Sequence, residues 1–188
     1  MQATHRDIEC SGVARRPAGD RDNARGFTLV EILIVVVILG ILAAIVVPQF
    51  SNASLVAREN TLKDDIRYLR TQVIVYKAQH QDTPPGYPGG NMTSSPTEAA
   101  FLSQATSFTD EFGTTSANLT ATAKFGPYLS TMPTNPINNL STINVLADTA
   151  TLPTAATGTY GWIYQPKTQT IMSDAVGTDK DGTRYFDY

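Results

Sequence analysis

One cysteine and two histidines are all the thiol and imidazole that this 188-residue chain carries. Cys10 has no second cysteine to pair with, so no intramolecular disulfide forms. His5 and His80 fall short of the three or four ligands of a zinc site, and they leave little for a histidine-based active site. Charge is scarce too. Asp, Glu, Lys and Arg make up 16% of the residues, against about 25% in an average soluble domain. The small excess is acidic, with a net charge of −3, whereas nucleic-acid affinity comes mainly from clustered Lys and Arg. A zinc protein, a disulfide scaffold and a basic DNA-binding domain are thereby excluded. Thr, Ser, Asn, Gly and Pro fill the gap, a composition suited to turns and surface β-structure, in a chain about one domain long.

Against this polar background stands one apolar run. Residues 27–47 read FTLVEILIVVVILGILAAIVV, with Glu31 as the single charge. At 1.5 Å per residue the run covers about 32 Å as a helix, close to the hydrocarbon thickness of a bilayer. A chain of this length can hardly bury such a helix on every side, so the run is expected to span a membrane. In lipid the backbone must satisfy its own hydrogen bonds, so helix prevails over the strand preference of Ile and Val. Residues 15–26 hold Arg15, Arg16, Arg21 and Arg25, whereas residues 48–59 hold only Arg58. Positive flanks stay cytoplasmic, which places the N-terminus inside and the C-terminal part outside. Over twenty residues on each side the contrast narrows to four against three, because Lys63 and Arg67 enter. The alternative is a cleaved secretory signal, but Ile45, Val46 and Val47 carry the run past the usual 7–15 residues.

Glu31 is the anomaly. A charge inside a spanning helix is costly unless it is paired, which makes it a functional candidate; the bland alternative is a side chain reaching back to the headgroups. Gly26-Phe27-Thr28-Leu29-Val30-Glu31, after a basic and polar leader, strongly resembles the processing site of type IV pilins and type II secretion pseudopilins, from Arg25 to about Phe50. The resemblance implies that a prepilin peptidase cuts between Gly26 and Phe27, that Phe27 is N-methylated, and that Glu31 acts in assembly. Opposite charges attract far more strongly at low dielectric than in water, so Glu31 and a new ammonium at Phe27 are natural partners. They can pair between neighbouring subunits or within one chain, and the two arrangements can alternate during assembly.

Residues 1–26 read as a cytoplasmic leader that takes Cys10 and His5 with it, leaving a mature chain without cysteine. Pro48 predicts a kink. Beyond it, residues 48–80 continue the helix amphipathically, with Leu55, Leu62, Ile66, Leu69, Val73 and Tyr76 forming a seam. One helix from about Phe27 to His80 is expected, about 80 Å long, its seam covered by the head's own sheet. Pro84-Pro85-Gly86 ends it. Tyr76 and Gly86-Tyr87-Pro88 are similar to the passage leaving the long helix in major pseudopilins.

The head, residues 81–188, is expected to open with a short helix. Ser95-Pro96-Thr97-Glu98 reads as a capping box starting a helix that runs to about Ala105, with Phe101 and Leu102 as packing residues. Residues 106–158 show weak periodicity. Within them, Gly126-Pro127-Tyr128-Leu129 and Met132-Pro133-Thr134-Asn135-Pro136 resemble a loop of type II secretion major pseudopilins. Asn135, Asn138 and Asn139 suit turns. Residues 160–165 alternate, with Tyr160, Trp162 and Tyr164 on one face; Pro166-Lys167-Thr168 turns the chain, and Thr170-Ile171-Met172 returns as a paired strand. The fold class is therefore α+β and pilin-like: a long N-terminal helix packed on a small C-terminal antiparallel sheet.

Asp174, Asp179 and Asp181, with Gly182, are candidate calcium ligands, since Ca²⁺ wants six to eight oxygens. The Glu that an EF-hand loop requires is absent, and an ordinary Asp/Gly turn is the competing reading. Major pseudopilins carry a calcium in a C-terminal loop, but this segment does not match their usual ligand string closely. No other cofactor is expected.

The expected function is a structural, non-enzymatic filament subunit for type II-like protein secretion; a type IV pilus subunit or a minor pilin acting as a binding module is the alternative. The resemblance implies as partners other copies or other pilins, the prepilin peptidase, an inner-membrane assembly platform and the membrane. It also implies a single-pass inner-membrane location with a periplasmic head before filament entry. Removing the leader leaves 9 basic against 13 acidic residues, so no nucleic-acid partner is expected.

Overall fold

A computed structural model describes residues 26–188, excepting the side chains of Pro48, Ser51 and Asn52. The remainder of the leader, with Cys10, His5 and the arginines up to Arg25, lies outside the described residues. Helix α1 runs Leu29–Gln79, within two residues of the expected start and one of the expected end, and Pro48 falls inside it. The chain divides into two units, Met1–Val46 and Val47–Tyr188.

In the first unit the described residues are Gly26, Phe27 and Thr28, followed by the apolar part of α1. The stretch Leu29–Val47 has a mean hydropathy of 3.3 and none of it is buried. By length and composition it can cross a membrane.

The second unit has one core. Leu62, Ile66, Leu69, Val73 and Tyr76 are all buried along α1, as the 3- and 4-residue spacings require. Leu55 departs from the expected seam and is exposed. Helix α2, Glu98–Thr106, places Phe101 and Ala105 against that seam. Its cap differs from the expectation: Thr97, not Ser95, accepts the Ala100 N–H at 3.1 Å. The start moves two residues along because Pro96 is buried before the helix rather than inside its first turn. A two-stranded ribbon follows, β1 Phe108–Thr109 antiparallel to β2 Thr115–Ser116.

The main sheet has three strands: β3 Ile143–Val145, β4 Trp162–Gln165 and β5 Thr170–Ser173. β4 and β5 form the expected antiparallel hairpin, with Tyr164 opposite Ile171. β3 was not expected, and it pairs parallel to β4, with Ile143 opposite Trp162. The sheet is thus mixed rather than wholly antiparallel. Trp162 and Tyr164 are buried beside Ile143, Ile171 and the α1 seam, whereas Tyr160 lies before the strand and is half-buried. Burying each large side chain contributes about 1.5–3 kcal/mol, so the seam and sheet hold one another in place.

The loops are pinned by buried polar groups. Asn135 is fully buried and donates from Nδ2 to Gly161 O (2.8 Å) and Ser173 Oγ (2.9 Å), while Oδ1 accepts the Ile137 N–H at 3.0 Å. The Trp162 indole donates to Pro133 O at 2.8 Å. The Met132–Pro136 segment therefore clamps the start of β4. Gly86 has φ +115, and a Cβ there would stand 3.1 Å from Pro166 Cγ, so its backbone conformation suits only glycine.

Candidate processing and assembly site

Gly26, Phe27 and Thr28 precede α1 outside any regular element. Phe27 is 75% exposed, and nothing approaches within 4 Å of where a Gly26 Cβ would stand. Thr28 begins the helix: its carbonyl accepts the Ile32 N–H at 3.2 Å, and its Oγ1 accepts the Glu31 N–H, also at 3.2 Å. This is the first half of a capping box, in which Thr stands at the cap and Glu three residues on. Glu31 falls in the first turn, where the positive end of the helix dipole favours a carboxylate. The sequence signal for this cap, Thr-x-x-Glu, lay in plain view inside the processing motif. Gly26, Phe27 and Glu31 are thus contiguous: a short exposed segment, then a carboxylate one turn into an apolar helix.

The three acidic candidates of the C-terminal region are not brought together. Asp174 is buried, and its carboxylate already accepts Thr157 N–H (2.6 Å), Thr157 Oγ1–H (2.7 Å) and Tyr160 N–H (2.9 Å). Asp179 Oδ1 accepts the N–H groups of Asp181 and Thr183, both at 2.9 Å, and Oδ2 accepts the Tyr188 hydroxyl at 2.7 Å. Those bonds, the hydroxyl first, hold the Asp179 carboxyl below its ordinary range. Asp181 pairs with Lys180 at 2.8 Å. Among the described residues no group of three or more His, Cys, Asp or Glu is arranged to hold a metal ion. As placed, these carboxylates shape two turns.

His80 is not the exposed or capping residue its position at the helix end suggests. It is 2% exposed and lies 3.7 Å above the Tyr76 ring at 5°. Its Nδ1 is 2.6 Å from Tyr76 O and its Nε2 2.8 Å from Thr109 Oγ1. A carbonyl only accepts, so Nδ1 carries the proton and Nε2 takes the threonine hydroxyl proton. Burial pushes its pKa below the ordinary value, and the neutral ring ties the end of α1 to β1. The Tyr76-x-x-x-His80 spacing was the available signal.

Residues 21–47 match the family model for the prokaryotic N-terminal methylation motif. Type II secretion system core protein G of Pseudomonas aeruginosa is 47% identical over 57 residues, which cover 30% of this chain and 40% of that protein. The protein of the same name from Dickeya chrysanthemi is 39% identical over 74 residues, 39% of this chain and 48% of the relative. Type IV major pilin protein PilA of Myxococcus xanthus is 45% identical over 47 residues, 25% of this chain and 21% of the relative. The matched stretch spans less than half the length of each of these relatives. No solved structure matches the chain. The similarity to type II secretion core proteins and type IV pilins covers only part of the chain.

Proposed function

We propose that this chain is a structural filament subunit, made with its leader in the cytoplasm and its head across the inner membrane. A prepilin peptidase cuts between Gly26 and Phe27 and methylates the Phe27 amine, and an assembly platform then adds the subunit to a type II secretion-like filament. The observation that carries this reading is the methylation motif over residues 21–47 leading into an apolar, wholly unburied 19-residue stretch. Cleavage creates an ammonium at Phe27, and Glu31 offers the opposite charge one helical turn away or to a neighbouring subunit. Lipid gives helices little hydrophobic reason to associate, so charge pairing and packing supply the drive. Burying either charge alone is strongly unfavourable.

Mass spectrometry of the chain purified from membranes tests the reading. An N-terminus at N-methylated Phe27 is expected; a chain keeping its leader, or beginning elsewhere without methylation, overturns it. The similarity to type IV major pilins supports a second reading, a pilus subunit or a binding pilin. Surface filaments containing this chain, in cells whose secretion is unaffected by its deletion, would favour that one.

A further inference from the structure

The outer part of α1 carries charges of both signs, with Asp64 and Asp65 among its cations and Asp179 near Lys63. Lys63, Arg67 and Arg70 line one groove of about 230 Å³ with Ile66 and Tyr188. Local contacts hold two of these cations: Lys63 Nζ lies 4.3 Å above the Tyr188 ring, and Arg70 donates to Ile171 O (3.1 Å) and Tyr188 O (2.8 Å). Arg67 pairs with Asp64 at 3.1 Å, but the two side chains are 74% and 75% exposed. An ion pair so exposed contributes only about 0–1 kcal/mol, so Arg67 can exchange partners at little cost.

The complementary surface lies near the end of the helix. The Thr109 hydroxyl is bonded to His80, which stands thirteen residues, or about 20 Å, beyond Arg67. The next residues are Asp110 and Glu111. Asp110 Oδ1 accepts the N–H groups of Phe112 (3.0 Å) and Thr114 (2.8 Å), which sets the shape of the loop. Glu111 is exposed and makes no ion pair among the described residues. Lys124 lines a cleft together with Asp110 and Glu111. The groove is lined by three cations with Asp64 beside it, and the loop by Asp110 and Glu111 with Lys124, so each surface carries both signs with the opposite one in excess.

We propose that the Lys63–Arg67–Arg70 groove of one subunit receives the Asp110–Glu111 loop of a second copy, with Lys124 of that copy turned toward Asp64. The proposal rests on the filament reading above. Two surfaces at different heights on parallel subunits cannot meet reciprocally, so the contact is heterologous. Such contacts propagate into open helical filaments instead of closing as dimers. A second copy suits the groove better than a polyanion, because its loop brings Lys124 to meet Asp64, whereas phosphate meets only repulsion there.

Charge reversal in cells that assemble the full-length chain tests the contact. Arg67→Glu and Glu111→Lys are each expected to lower the yield of sheared filaments at least tenfold, and the two together to restore it to within threefold. Single variants that assemble at wild-type yield, or a double variant no better than either single one, overturn the proposal. A second measurement does not depend on those variants folding. In a Cys10→Ser background, a short bis-maleimide should join Arg67→Cys to Glu111→Cys as a ladder of covalent multimers in intact filaments, because residues whose charged tips meet stand too far apart at Cα for a disulfide. Filaments without that ladder refute this contact and leave the filament reading standing. A wild-type chain that keeps its leader and forms no filament refutes the filament reading itself.

Discussion

The imidazole of His80 sits where a proton has little to gain. Its two nitrogens are already bonded to Tyr76 O and Thr109 Oγ1, and Tyr76, Tyr128 and Phe125 surround the ring. The nearby charge is Asp110, which favours the protonated form but is outweighed by burial. Because the folded state lowers this pKa, the unfolded chain binds the proton more readily. The stability from neutral His80 is therefore fully present above about pH 6.5 and is lost as pH falls below it. Thermal unfolding of the full chain in detergent should show a midpoint that drops between pH 7.5 and 5.5. His80→Gln should unfold earlier at pH 7.5 and lose less over that interval; an equal loss in both would show that other groups set the acid limb. Tyr164 poses the opposite case. Its hydroxyl is buried without a partner among the described residues, and such a group costs about 1–3 kcal/mol. Tyr164→Phe is expected to raise stability by about 1 kcal/mol in urea titrations. The acidic residues Asp174, Asp179 and Asp181, with their oxygens already engaged, predict no shift of the same thermal midpoint when Ca²⁺ is added.

Elements long enough to repeat a pattern were legible, and those fixed by a few distant partners were not. Helix α1 announced itself twice, by an unbroken apolar run and then by a seam whose members from Leu62 to Tyr76 are all buried. Leu55 fits the spacing but is exposed, because a period says which side a residue faces and not whether anything stands opposite. The β4–β5 hairpin was legible from alternation on each side of a proline turn. β3 was invisible: Ile-Asn-Val is too short to show a period, and its parallel register depends on β4, which follows seventeen residues later. The cleavage motif was readable as chemistry, yet the Thr28 cap within it emerged only from the geometry. Asn135 looked like one of several turn residues, but it is a buried tie between β4 and β5. Removing its side chain leaves the Ile137 N–H without its present partner and the Gly161 carbonyl with the Asp174 N–H alone. Asn135→Ala should therefore cost about 1–3 kcal/mol in the same denaturant titration. A loss below 1 kcal/mol would mean that water replaces the tie.

At the scale of the whole molecule, membrane residence and assembly, as proposed, depend on different atoms of the same helix. Residence needs the apolar length from Leu29 to Val47, which holds a single charge and has no protein cover. Processing, as proposed, needs the exposed Gly26–Phe27 bond. Neither requires a carboxylate at position 31. That carboxylate is nonetheless unfavourable in hydrocarbon, and its place in the first turn of α1 offsets only part of that, since a helix dipole contributes typically 0.3–1 kcal/mol. A counter-charge on an adjoining subunit would remove most of the remainder. Glu31→Ala should therefore separate the stages. The variant is expected in the membrane fraction at wild-type abundance and with the same mature N-terminus by mass spectrometry, while its incorporation into sheared filaments falls at least tenfold. Thr28→Ala, which removes the cap but keeps the charge, should process normally and assemble less efficiently than wild type but better than Glu31→Ala. If Glu31→Ala enters filaments at wild-type yield, helix packing alone drives assembly and the acid serves only to start the helix.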